Sequence, residues 1–81
     1  MDAASLPRGG PVEGRLAGTV RTFDEQGGYG VVAATDGAGE WFFHYTAIAD
    51  GSRTIDEGAA VSFAVEAGHL GRYEAVDVRA A

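Results

Sequence analysis

Glycine occupies 13 of the 81 positions and cuts the chain into runs too short for long helices. A glycine inside a helix costs about 1 kcal/mol relative to alanine, whereas turns that need positive φ accept it readily. The runs between the glycines are rich in Val, Phe, Tyr and Trp, the residue types that suit a pleated, half-buried surface. Short β-prone runs bounded by Gly or Asp-Gly predict strands joined by turns.

Five such runs can be counted, at 15–23, 28–35, 40–45, 59–67 and 73–79. The first places Leu16, Gly18, Val20 and Thr22 on one face and Ala17, Thr19, Arg21 and Phe23 on the other, unless a bulge shifts the phase. Asp24-Glu25-Gln26-Gly27 and Asp36-Gly37-Ala38-Gly39 are hairpin turns. The fourth run alternates Val61, Phe63 and Val65 inward with Ser62, Ala64 and Glu66 outward. Only 46–49 has helical character, enough for one turn, and 49–58 is the longest connection. Two hairpins, a crossing loop and two more strands predict a small closed barrel, because closure removes exposed sheet edges. Residues 1–14 hold both prolines and only two large aliphatics, Leu6 and Val12. Such a segment buries too little to offset its ordering entropy and is expected to be a flexible N-terminal tail. The expected domain is 15–81.

Six basic residues against twelve acidic ones leave a formal charge of −6. The whole molecule therefore repels phosphate and anionic lipid, and a polybasic DNA-binding arm is excluded. Affinity for a nucleic acid has to come from a local surface that stacks on bases. The absence of cysteine removes disulfides and thiolate metal sites and fits a cytoplasmic location. The apolar stretches fall far short of the ~20 residues that span a bilayer, and the first 14 residues do not read as a secretory signal.

The third run carries the chemistry. In Trp41-Phe42-Phe43-His44-Tyr45 every side chain is a ring, so alternation sends some inward and some outward in either phase. With Trp41 and Phe43 inward, Phe42 and His44 emerge beside Tyr29, with Phe23 nearby on the first strand. Exposed rings on neighbouring strands suit the stacking of unpaired bases, at about 1–3 kcal/mol per base. The alternative is that all the rings are core.

Gly28-Tyr29-Gly30-Val31-Val32 resembles the first ribonucleoprotein motif of the cold-shock domain, usually Lys-Gly-Phe-Gly-Phe-Ile. Phe42-Phe43-His44-Tyr45-Thr46 resembles the second, usually Phe-Val-His-Phe-Ser. Gly18-Thr19-Val20-Arg21, Ala47-Ile48, Asp56-Glu57-Gly58, Val61-Ser62-Phe63 and Glu74-Ala75-Val76-Asp77-Val78 are similar to further family segments, in order, across 15–79. The resemblance implies an all-β fold, a five-stranded antiparallel OB-type barrel. It also implies binding of single-stranded RNA or DNA, with Phe23, Tyr29, Phe42, His44 and Tyr45 stacking on bases and Arg21 near a phosphate. The implied role is an RNA chaperone or regulator of transcription or translation, not an enzyme, working without a cofactor. The chain departs from the family at Thr22, Val31 and Gly27, where two rings and a lysine are usual, and in the long loop, where Ser52 and Arg53 stand in place of a Phe. At 1 kcal/mol per missing stack, affinity falls by roughly two orders of magnitude.

A rival reading is a protein-interaction module on the same barrel, which the negative charge favours. Other constellations are weaker. His44 and His69 lack the spacing of a zinc site. Ser62, His69 and Asp77 can be written as a triad, but no nucleophile elbow accompanies them.

Overall fold

The structure, a computed structural model, describes residues 9–68 and 71–81. Five strands follow one another as β1 (Leu16–Asp24), β2 (Tyr29–Ala34), β3 (Glu40–His44), β4 (Ala60–Ala67) and β5 (Tyr73–Ala80), with one 3-10 turn at Tyr45–Ala47 after β3. They close into an OB-type barrel in the order β1-β2-β3-β5-β4. The fold is therefore all-β, as the turn-bounded runs predict.

The expectation that every pairing is antiparallel needs correction. β1 pairs antiparallel with both β2 and β4, β2 with β3, and β4 with β5. β3 and β5, however, run parallel, joined at Phe42 and Glu74 and by a bridge between Ile48 and Val78. The reason is parity: a closed ring with an odd number of strands cannot reverse direction at every seam.

Alternation fills the barrel. Val20, Val32, Trp41, Phe43, Val61, Phe63 and Val78 are almost completely buried. The Trp41 and Phe63 rings pack at a tilt with centroids 5.6 Å apart. Each such side chain contributes roughly 1.5–3 kcal/mol by leaving water, so this cluster provides the main driving force of a small domain.

Two bulges adjust the strands. In β1, Val20 faces Val32 and Thr22 faces Val31, so Arg21 has no partner and the phase slips by one residue. In β5, Asp77 and Val78 together oppose Phe63, and Asp77 takes a left-handed φ of 51°. Asp is one of the few non-glycine residues that tolerates this region. Its carboxylate accepts hydrogen bonds from Arg15 Nη1 at 2.8 Å and Arg79 Nε at 3.1 Å. Arg15 Nη2 also donates to the Asp77 carbonyl at 2.8 Å and to Ser62 Oγ at 3.0 Å. Ser62 and Asp77 thus anchor the start of β1 against β4 and β5.

Of the segment expected to be a flexible tail, residues 1–8 lie outside the described residues, and the rest is tied down. Gly9 N donates to the Glu40 carbonyl at 2.8 Å, and Trp41 Nε1 donates to the Gly10 carbonyl at 3.0 Å. Val12 packs against the core. The buried indole needs an acceptor for its N–H, and this backbone supplies it. A Cβ on Gly9 would run into the indole ring, so the close approach depends on glycine.

Candidate nucleic-acid interface

Strand register sets out the outer face in rows. Asp24, Tyr29 and His44 form one row across β1, β2 and β3. Thr22, Val31, Phe42 and Glu74 form the next, which crosses the parallel seam into β5. Between them, Phe23, Gly30 and Phe43 point the other way, into the barrel. Trp41 and Phe43 are inward and Phe42 and His44 outward, the expected partition of the ring run.

Tyr29 is the most exposed large apolar side chain among the described residues, at 37%, and the His44 side chain is 61% exposed. Phe42 and Tyr45 are half-buried. Tyr45 lies across the backbone of Gly28, whose φ of 72° and missing Cβ make room; a Cβ there would stand 2.7 Å from Tyr45 Cδ1. The turn that delivers this glycine is capped by Asp24 Oδ1, which accepts from the backbone N–H groups of Gln26 and Gly27, both at 3.0 Å. Tyr45 N in turn donates to the Gly28 carbonyl at 2.8 Å and fixes the β3 exit over the turn.

Two expected site residues are placed differently. The bulge at Arg21 turns Phe23 inward, where its ring stacks on Phe43 with centroids 5.9 Å apart and planes 21° apart. Phe23 therefore lies beneath the outer face, packed on Phe43, and is not part of the exposed ring row. Arg21 pairs with Glu40, Nη1 to Oε2 at 2.5 Å. His69, considered above as a partner for His44 or as part of a triad, lies outside the described residues.

The side chains that the ring pattern did not single out are Arg53 and Arg72. The Arg53 guanidinium sits 5.1 Å from the Tyr45 ring centroid and that of Arg72 5.1 Å from the Phe42 centroid. Both are within cation–π range. Among the described arginines, Arg15, Arg21 and Arg79 are ion-paired with carboxylates. Arg53 and Arg72 form no ion pair among the described residues, so the arginines left uncompensated there gather on the ring-bearing face. Arg53 occupies the loop where the resemblance leads one to look for a Phe, which was the available signal.

Tyr29, Phe42, Phe43, His44, Arg72 and Glu74 line a cavity of about 300 Å³. The Glu74 side chain is only 17% exposed, and its Oε1 lies 3.8 Å from His44 Nε2. A larger hollow of about 560 Å³ lies beneath the long loop, bordered by Asp50, Asp56 and the paired Arg79. It contains no ring and lacks the chemistry of the outer face. No helix among the described residues is long and apolar enough to cross a membrane.

A closed OB-type barrel with rings and cations on one outer face is the architecture of a nucleic-acid-binding domain. Residues 16–81 match the family model of the "'Cold-shock' DNA-binding domain". The chain is 44% identical over 55 residues to cold shock-like protein CspA of Shewanella violacea, covering 67% of this chain and 79% of that protein. It is 38% identical over 58 residues to cold shock protein CapA of Pseudomonas fragi, covering 70% and 91%. It is also 43% identical over 65 residues to glycine-rich protein 2 of Nicotiana sylvestris, covering 79% of this chain but spanning only 30% of the plant protein. The chain belongs to the cold-shock domain family, and nucleic-acid binding in general is the function that membership carries.

Proposed function

We propose that the protein binds single-stranded RNA or DNA across β1, β2 and β3, with bases stacking on Tyr29, Phe42, His44 and Tyr45. Arg53 and Arg72 meet the backbone phosphates or cover the stacked bases. Phe23 holds Phe43 in place under Gly30, and Arg21 lies at the margin with its charge balanced by Glu40. By occupying unpaired bases the protein keeps RNA from folding on itself, in the cytoplasm and without catalysis. The observation that carries this reading is the position of Arg53 and Arg72 over Tyr45 and Phe42. In a chain of charge −6 it gives a polyanion one locally favourable face.

Titrating the protein into labelled heptathymidine at low salt and following fluorescence anisotropy tests the proposal. Saturable binding in the micromolar range is expected, because three rings of a full platform are missing, at Thr22, at Val31 and in the long loop. Absence of saturable binding at about 100 µM protein defeats it and favours a protein-interaction role for the same barrel.

A further inference from the structure

We infer that the cavity between Phe42, Arg72 and Glu74 reads the base it receives and prefers guanine. This inference rests on the nucleic-acid reading above and adds specificity to it. Three features converge. The cavity, about 300 Å³, has ring walls from Tyr29 and Phe42, and the Arg72 guanidinium that rests over Phe42 is carried on a flexible side chain that swings outward to cover an incoming flat base. At that size it has room for one base rather than a run of them. Its remaining polar wall is the mostly buried carboxylate of Glu74, which the register places directly beside Phe42. A base stacked at Phe42 therefore turns an edge toward that carboxylate.

An ionised carboxylate is an acceptor only, with about four lone-pair sites over two oxygens, so it can serve a base alongside its other contacts. Thymine and uracil offer one N–H flanked by two carbonyl oxygens, which the carboxylate repels. Cytosine and adenine each offer an amino group next to an acceptor nitrogen. Guanine alone presents two adjacent donors, N1–H and N2–H, at a spacing that matches the two oxygens. Charge-assisted, two-point hydrogen bonds of this kind are the strong ones and discriminate between bases. Arg72 lines the same pocket and brings a positive charge to its rim, which makes an acidic reading group compatible with a polyanionic ligand.

The experiment compares three labelled heptamers of thymidine whose central base is thymine, guanine or hypoxanthine, the last being guanine without its N2 amino group. For the unaltered protein, guanine is expected to bind about tenfold tighter than thymine, with hypoxanthine in between. In Glu74→Gln, guanine and thymine are expected to fall within about twofold of each other, guanine by losing its charge-assisted pair and thymine by gaining affinity once the repulsion of its carbonyl oxygens is gone. A purely structural role for Glu74 would change all affinities together and leave their ratio alone. Equal binding of thymine and guanine heptamers by the unaltered protein overturns the inference and leaves the proposed function standing. So does hypoxanthine binding as tightly as guanine, a result that needs no protein variant to fold. Saturable binding of no heptamer overturns the proposed function and the inference with it.

Discussion

Adding rings at Thr22 and Val31 should convert a weak platform into a tight one. The register puts Thr22 beside Val31 and Val31 beside Phe42 on the outer face, at the interstrand spacing of about 4.8 Å. Thr22 is exposed and Val31 half-buried, so Trp at the first and Phe at the second extend the row that ends at Phe42 without entering the barrel. Each new stack contributes about 1–3 kcal/mol. Two therefore strengthen binding by at least about 2 kcal/mol, or roughly thirtyfold in Kd. Substitutions at such surface sites usually move stability by less than about 0.5 kcal/mol, so the melting temperature should hardly change. Anisotropy titration of heptathymidine against the Thr22→Trp/Val31→Phe protein, paired with a thermal melt, gives both quantities. An unchanged Kd in a folded double variant refutes the reasoning. Should the double variant melt early, Val31 is supporting the barrel, and Thr22→Trp alone then carries the test.

Phe43→Ala should destabilise the fold by about 3–5 kcal/mol in denaturant titrations, a large part of the stability of a small domain, whereas Phe42→Ala should lose binding and keep most of its stability. Arg53→Ala with Arg72→Ala should weaken single-strand binding and flatten its salt dependence by up to about 0.7 in log–log slope per lost phosphate contact. Arg79→Ala, which removes a cation already paired with Asp77, should leave that slope unchanged. Hydrogen bonds from Arg79 and Arg15 hold the Asp77 carboxyl below its ordinary value of 3.8. A depressed folded-state value means that the contribution is complete above about pH 4 and fades as the pH falls further. Asp77→Asn, which still tolerates the left-handed backbone, should therefore lose less melting temperature than the unaltered protein between pH 6 and pH 3.

Much of the barrel was legible because its two signals are local. Glycine and Asp-Gly pairs mark the turns, and the inward alternation of Trp41, Phe43, Val61 and Phe63 marks the core. The parallel seam was also implicit in the count of five strands, although no residue announces it. The single-residue slip at Arg21 was not legible: Gly18-Thr19-Val20-Arg21-Thr22-Phe23 reads equally well with or without it. That slip sends Phe23 to the interior and leaves Thr22 on the surface. Pairing between distant residues was hidden too. Nothing near Arg21 in the chain points to Glu40, and nothing near Gly10 points to the indole of Trp41, because both contacts exist only once the hairpins have closed.

The parallel seam has a consequence for how the barrel moves. Phe42 against Glu74 and Ile48 against Val78 are the pairings that join β3 to β5, while the other four seams are longer antiparallel ladders. Local opening follows the least-supported contacts, so amide protons at this joint should exchange with solvent sooner than those between β1 and β2. The base-reading cavity straddles the same joint, with Phe42 on one side and Arg72 and Glu74 on the other. A base seated there acts as a staple across the barrel's weakest line, and occupancy should slow exchange at that joint first.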